Sequence, residues 1–329
     1  MRTVKWGIMS AARIAQEQLM PAMLREGNSE IVAIASNSGR AREVAARFGI
    51  ANVYKDYEAL LADPQVEAVY IPLPNSLHKE WAIKAAQNGK HVLVEKPSSL
   101  TSEQTRDILE VCREHDVVFM EGFMYRHHPQ HQRVQEIIRS GEIGKVVLFR
   151  AGLHFLLEDE GDIRMDRELG GGSLYDVGCY CIHSARHILQ EEPVAVFASG
   201  RIDDARQVDT LVAAQLEMNS GIRVVFDCSF ASVFQHFYEV VGTKGTIRVP
   251  RAYRPDLHDG EGLVIVTGSD GSEREEKIVA DQYALEVAEM NAMIANGISA
   301  AYSHEQIVCN MQVIDACYES LRTGKVVRM

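Results

Sequence analysis

Val92-Leu93-Val94-Glu95-Lys96-Pro97 passes from an apolar run to a charged pair, then to a residue that neither continues a ladder nor allows a helix through the same point. An apolar run of this length reads as a buried parallel strand. The charged pair then falls at its carboxyl end, where an α/β sheet places its ligand chemistry. Upstream the same rhythm repeats. Strands are expected at 4–9, 31–36, 53–54, 66–71 and 91–94, with helices following each and a sixth strand at 117–121. Regular alternation of this kind predicts a doubly wound parallel sheet with right-handed crossovers, an α/β Rossmann domain over 1–122.

The rhythm changes near Gly122. A helix over 129–139 and a strand from Val146 lead to Gly170-Gly171-Gly172, which reads as a loop bringing backbone close to something, and then to a helix over 175–189. From Val194 onward strand patterns follow one another without crossovers. They predict an α+β domain, 123–329, built on a large open, mainly antiparallel sheet, with the C-terminal helix packing back towards the first domain. The second domain is expected to bind substrate and to carry oligomerisation, as a dimer or tetramer, through the open face of that sheet.

The 329 residues are 46% hydrophobic and 24% charged, with a formal net charge of -12. That balance disfavours a nucleic-acid or anionic-membrane surface, and no run approaches membrane-spanning length. Six cysteines, at 112, 179, 181, 228, 309 and 317, are irregularly spaced, and Met1-Arg2-Thr3 leads straight into a strand without an export segment. Reduced thiols and a cytoplasmic location are expected. Cys179-x-Cys181 does not face one way on a helix, and no zinc-ligand spacing is present, so no metal is expected.

Gly7, Ser10, Ala11 and Ala12 are spaced like a dinucleotide turn, the glycine for a tight turn and the small residues for approach of phosphate to a helix N-terminus; Met9 stands where a second glycine is usual. At the end of the second strand, Ser36-Asn37-Ser38-Gly39-Arg40 replaces the acidic residue that accepts from a ribose diol. Hydroxyls, an amide and a guanidinium suit a phosphate, so NADP(H) is preferred and NAD(H) is the alternative. The plainer reading has Ser38 capping the next helix and Arg40 as a solvated charge.

Asp176 and Tyr180, four apart, share a helix face that His183 extends and Arg186 does not. Hydride removal from a carbinol requires its hydroxyl proton to leave, and lysine and tyrosine are weak acids whose pKa values neighbouring charge lowers. Tyr180 is the preferred proton donor, with Lys96 as electrostatic helper and Asp176 orienting lysine, substrate or both; the roles of Tyr180 and Lys96 are interchangeable at this level. Read structurally, the three helix residues are a cap, a core phenol and a packed imidazole.

These motifs, with Pro72-Leu73-Pro74-Asn75-Ser76-Leu77-His78 and Gly89 to Pro97, resemble the Gfo/Idh/MocA oxidoreductase family along practically the whole chain. Tyr180, where inositol dehydrogenase-like members carry histidine, and the Trp6-Gly7-Ile8 start are similar to the glucose-fructose oxidoreductase, NADP-dependent xylose dehydrogenase and dihydrodiol dehydrogenase branch. The resemblance implies catalytic or orienting roles for Lys96 and Asp176. It implies cofactor-pocket roles for Pro72, Leu73, Asn75 and His78, and support of the cofactor or its loop by Glu95. Arg126, in Tyr125-Arg126-His127-His128-Pro129, either approaches nicotinamide or substrate or pairs with an acid at the domain seam; His154 and Arg164 are further candidates. The implied activity is NADP(H)-dependent hydride transfer at a hydroxyl or carbonyl carbon of a small polyhydroxylated substrate: a sugar, cyclitol or vicinal diol. A cofactor-recycling sugar–sugar oxidoreductase, a hydrolase working through transient oxidation and a non-catalytic dinucleotide sensor are the rivals. Lys96, Asp176 and Tyr180 all being present favours catalysis over sensing.

Overall fold

The structure, a computed structural model, describes residues 2–159, 161–296 and 304–329. Two units are defined, Met1–Met124 with Tyr283–Val308, and Tyr125–Gln282 with Cys309–Met329.

In the first unit six parallel strands, β1 (Val4–Met9), β2 (Ser29–Ala35), β3 (Asn52–Tyr54), β4 (Ala68–Ile71), β5 (His91–Glu95) and β6 (Phe119–Gly122), are arranged β3-β2-β1-β4-β5-β6. The order reverses between β1 and β4. Helices α1 (Met20–Glu26), α2 (Ala41–Phe48), α3 (Tyr57–Leu61), α4 (His78–Gln87) and α5 (Ser102–Glu114) make the crossovers. Side-chain caps start two of them, with Asp56 accepting from Ala59 N and Thr101 from Gln104 N. Val92, Leu93 and Val94 are fully buried, as a strand covered on both faces requires. The helix α8 (Gln282–Asn296) is tied into this unit by Asn291, which accepts from Trp6 Nε1 at 3.2 Å and donates to Glu26 and Ser29 at 2.9 Å each.

Gly7 corrects the sequence reading. It lies inside β1 rather than in a turn, and a Cβ there would stand 2.8 Å from Leu60 Cδ2 and 3.0 Å from Val66 Cγ1. The glycine admits α3 against the sheet. The helix that follows β1 also opens differently from expectation, with a π turn at Ala15–Leu19 ahead of α1.

The second unit contains α6 (Pro129–Ser140), α7 (Cys179–Leu189), most of α9 (His304–Thr323), and nine strands. These are β7 (Val146–Leu156), β8 (Pro193–Ile202), β9 (Asp209–Met218), β10 (Arg223–Ser229), β11 (Ala231–Gly242), β12 (Gly245–Val249), β13 (Glu261–Gly268), β14 (Glu273–Val279) and β15 (Val327–Arg328). Their order is β14-β13-β12-β11-β7-β10-β9-β8-β15, antiparallel except for the β7–β10 pair. Register sorts the faces. Ala198, Ala214, Phe226, Ala151 and Tyr238 form one buried row, while the next row, Phe197, Gln215, Val225, Arg150 and Glu239, is open except for the half-buried Glu239. Among the described residues no helix is long and apolar enough to cross a membrane.

Gly7→Val is expected to destabilise the protein by about 1–3 kcal/mol through overpacking against Leu60 and Val66, read as a lower urea unfolding midpoint. An unchanged midpoint would show that α3 moves away freely.

Candidate active site

Loops from the carboxyl ends of β2, β1, β4 and β5 lie side by side across the point where strand order reverses. After β1, Gln16 N donates to Ala12 O at 3.3 Å and its side-chain amide to Ala11 O at 2.9 Å, so the helix starts directly behind the small residues. Ala11 is buried, while Ser10 and Ala12 are half-buried. After β2, the Ser36 and Ser38 hydroxyls are 2.8 Å apart. Arg40 Nε donates to Ser38 Oγ at 3.4 Å and Nη2 to Ala11 O at 3.3 Å. The guanidinium therefore bridges the β2 and β1 loops instead of standing alone in solvent. Asn37, Ser38 and Arg40 are exposed there with no carboxylate among residues 36–40, a donor set that fits a phosphate ester better than a bare ribose diol.

At the end of β5 the chain is fixed on both sides of the half-buried Lys96. Tyr70 donates to Glu95 Oε1 at 2.5 Å, and burial with the adjacent carboxylate pushes its phenol well up. Ser98 N donates to Glu121 Oε1 at 2.7 Å, and the Ser98 and Ser99 hydroxyls meet Thr105 Oγ1. His78 corrects another expectation. It is fully buried, with Nδ1 2.8 Å from Pro97 O and Nε2 2.8 Å from Leu73 O. A neutral imidazole carries one N–H and donates to one of these carbonyls at a time. Either way both ring nitrogens are taken up by main chain, and the ring braces the segment beside Lys96. Pro72 is buried and the Leu73 side chain belongs to the core, so these two offer a ligand only backbone; Asn75 is half-buried at the start of a short turn, Asn75–Leu77.

In the second unit, Leu174–Gly178 forms a π turn that leads into α7, where a plain α-helix is expected from the sequence. A Cβ on Gly178 would lie 2.8 Å from Cys228 Sγ and from Leu174 Cδ1, so this turn presses closely on β10. Arg164 Nε donates to Asp176 Oδ2 at 2.7 Å, and its Nη1 to Asp162 at 3.2 Å. The Tyr180 ring packs between Tyr125 and Tyr253, with centroids 5.8 and 5.4 Å away. Tyr125 Oη is 2.5 Å from His183 Nδ1. His154 Nε2 is 3.0 Å from Asp227 Oδ2 on the neighbouring strand. Arg186 is buried against Glu192 and Asn310, a structural role consistent with its place off the Asp176 face. Arg126 lies half-buried on the turn Met124–His127.

Tyr70, Asp162 and Asp209 support these groups and carry no motif that marks them in the sequence. Asp209 in β9 accepts from Ser173 Oγ and Leu174 N at 2.7 Å each, and from Tyr318 at 2.9 Å, at the start of the segment that bears Asp176. All six cysteines are free, and among the described residues no cluster of three His, Cys, Asp or Glu side chains is placed to hold a metal. A cavity of about 270 Å³ lined by Leu24, Ile31, Phe48 and Gln65 lies at the amino ends of β2 and β3, and none of its lining residues is a candidate site residue.

Residues 4–123 match the model of the oxidoreductase family with an NAD-binding Rossmann fold, and residues 131–248 match that of the GFO/IDH/MocA C-terminal domain. The chain is 37% identical to an NADP(+)-dependent D-xylose 1-dehydrogenase from Haloferax volcanii, covering 98% of this chain and 99% of that protein. A 3-ketoreductase from Actinomadura kijaniata, solved with NADP and TDP-benzene, superposes with a TM-score of 0.90 at 31% identity over 98% of each chain. An aldose-aldose oxidoreductase from Caulobacter crescentus, solved with glycerol, gives a TM-score of 0.91 at 25% identity over 100% of both chains.

The buried histidines predict an acid limit on stability. Burial pulls His78, His187 and His236 down to about 4, and it takes His131 and His183 well below the ordinary 6.5. Between pH 6.5 and 4 the unfolded chain binds more protons than the fold, so stability rises with pH there, by about 1.4 kcal/mol per pH unit for each proton difference. Stability is then full above about 6.5 and is lost as pH falls towards 4. Urea midpoints at pH 7.5, 6 and 5 check this; a flat series would contradict neutral, buried imidazoles.

Proposed function

Because the chain belongs to the Gfo/Idh/MocA oxidoreductase family, we propose that it is an NADP(H)-dependent dehydrogenase or reductase of a small polyhydroxylated substrate: a sugar, a cyclitol or a vicinal diol. The observation that carries the cofactor choice is the Arg40 guanidinium bridging Ser38 and the Ala11 carbonyl, at a strand end without a carboxylate. When bound, the dinucleotide supplies the hydride acceptor for oxidation or the donor for reduction. Ser36, Asn37, Ser38 and Arg40 hold the ribose phosphate. Ser10, Ala11 and Ala12 leave the following helix end accessible to the pyrophosphate, and Asn75 and the Pro72–Leu73 backbone line the dinucleotide.

Proton movement falls to the chain's own side chains. Tyr180 takes the substrate hydroxyl proton during oxidation and returns it during reduction, with Lys96 holding charge on the same oxygen and Asp176 orienting the substrate. Glu95, held by Tyr70, fixes the Lys96 loop. Arg126 is assigned to the nicotinamide or substrate. A homodimer or tetramer through the open row containing Phe197 and Val225 and a cytoplasmic location complete the reading; the first is checked by light scattering after size exclusion. The resemblance to an aldose-aldose oxidoreductase supports one variant of it, in which cofactor stays bound between two sugar half-reactions.

Turnover and binding with NADP(H) and NAD(H), across aldoses, inositols, deoxy-keto sugars and vicinal diols, test this. Arg40→Ala is expected to weaken NADPH binding about 10- to 100-fold, the size of a lost charge-assisted hydrogen bond, with NADH binding little changed. Equal losses for both cofactors would remove Arg40 from phosphate recognition. Tyr180→Phe and Lys96→Met are each expected to lower kcat by about 10²- to 10⁴-fold with NADPH binding retained. Unchanged turnover in Tyr180→Phe would sink its role as proton donor, and cofactor that co-purifies without exchange would favour the sugar–sugar variant.

A further inference from the structure

Three tyrosines of the second unit meet ring to ring. Tyr125 and Tyr180 have centroids 5.8 Å apart, Tyr180 and Tyr253 5.4 Å, and Tyr125 and Tyr253 5.1 Å with their planes at 88°. Of the three, Tyr180 lies on α7, Tyr125 on the turn Met124–His127 and Tyr253 in the loop after β12. Tyr125 and Tyr253 are fully buried, whereas Tyr180 keeps 7% of its surface. The member with surface left is thus the one assigned to proton movement, and the other two are enclosed.

Both enclosed rings are tied back to the helix that carries Tyr180. Tyr125 Oη is 2.5 Å from His183 Nδ1, and Tyr253 Oη is 2.8 Å from Ser184 Oγ. His183 and Ser184 follow Tyr180 by three and four positions, so the three side chains rise from one face of α7. The Ser184 hydroxyl also donates to Cys181 O at 3.1 Å, and the Tyr253 main-chain N–H donates to His236 Nδ1 at 3.2 Å. Burial pushes the Tyr253 phenol well up, so it stays protonated and acts as a support, not as a competing acid. Ring contacts set the spacing between the tyrosines, and a hydrogen bond at the far end of a ring fixes its direction.

We propose that Tyr125 and Tyr253 are positioning residues for the Tyr180 phenol, a clamp anchored at its hydroxyls by His183 and Ser184 of the same helix. The clamp sets the angle at which the phenol meets the substrate oxygen. This rests on Tyr180 as the proton donor and acceptor of the reading above. The phenol oxygen sits at the tip of its ring, where a small rotation about χ1 moves it furthest. A misplacement of about 1 Å at a reacting group costs up to about 10²-fold in rate, so the anchors act on kcat.

The test measures kcat, KM, NADPH binding and the thermal midpoint with the best substrate of the panel. Tyr125→Phe and Tyr253→Phe, which keep the ring and delete the anchoring hydroxyl, are made singly and each together with Tyr180→Phe. Either single variant is expected to lower kcat about tenfold, with KM and NADPH binding within about twofold of wild type. Neither should lower kcat further in the Tyr180→Phe background, because the group they position is gone. Tyr238→Phe is the control for stability: Tyr238 Oη is 2.9 Å from His131 Nδ1 and its ring stacks on Phe149 at 5.4 Å, so it loses a matching buried hydroxyl. It should lower the thermal midpoint as the other two do and leave kcat near wild type. Should one clamp variant not fold, the other carries the same test. Losses that persist in full beside Tyr180→Phe, an equal kcat loss in Tyr238→Phe, or an unchanged kcat in the clamp variants would make the cluster plain core and overturn the proposal. Failure of the underlying reading is seen separately: if Tyr180→Phe alone turns over like wild type, or wild type turns over no sugar or diol, that reading has failed and this inference falls with it.

Discussion

A parallel sheet covered on both faces has no room for chemistry inside its strands, and that constraint arranges the first unit. Ala68 to Ile71 and Val92 to Val94 are almost wholly buried, so polar side chains enter only where strands begin or stop. At the amino ends they are consumed by structure. Lys90 buries its ammonium against the Asp63 and Val66 carbonyls at 2.7 and 2.8 Å, and Asn291 closes on Trp6. At the carboxyl ends the same kinds of group are held but left accessible: Arg40 is exposed, and Lys96 and Asn75 are half-buried. The difference between the two ends lies in what remains after backbone satisfaction, not in composition.

The second unit meets an opposite demand, because it buries a carboxylate deliberately. Asp209 is 1% exposed; desolvation pushes its carboxyl up, and the bonds from Ser173, Leu174 and Tyr318 pull the other way without fully offsetting it. A raised carboxyl pKa makes the fold relatively more stable below the ordinary carboxylate value and removes that advantage as pH rises through the folded one. At neutral pH the ionised group is a stability cost, tolerated where it receives the first amide of the Asp176 segment at a helix N-terminus. The glycine run gives it clearance. Gly172 adopts φ +125°, and a Cβ there would lie 2.3 Å from Asp209 Oδ1. Gly171 does the same for the Arg164 carbonyl, so the two glycines admit the two groups that set Asp176 in place.

Much of this was legible in the sequence because it depends on local patterns. Apolar runs broken by Glu95-Lys96-Pro97 and Ser36-Asn37-Ser38 mark strand ends, and the loss of crossovers after Val194 marks the second sheet. What escaped depends on contacts distant in sequence. Gly7 reads as a turn glycine until Leu60 and Val66 are seen against it. His78 reads as a ligand contact until both nitrogens are found on main-chain carbonyls, Leu73 in its own connection and Pro97 after β5. The pairing of Arg164 with Asp176 and of Asp209 with Ser173 joins residues 12 and 36 positions apart, with no periodicity to announce it. The strand β14 carries no strand pattern because Glu273 to Lys277 is charged on both faces, and its pairing with β13 supplies what propensity lacks.

Two helices open on π turns, Ala15–Leu19 behind the small residues of the first unit and Leu174–Gly178 at Asp176 in the second. A π turn closes i→i+5 bonds, is wider than an α turn and is rare in helices. Gly178 packs closely there: a Cβ would force Leu174 or Cys228 to shift. In an α-helix, residues four apart overshoot one full turn; in the wider π turn they fall just short of it. Asp176 and Tyr180 span the change from one to the other, so the width of that turn decides how their two side chains are rotated against each other. Filling the Gly178 space would alter this angle before it altered either functional group. The close packing of Gly178 on β10 therefore bears on how Asp176 and Tyr180 are set against each other.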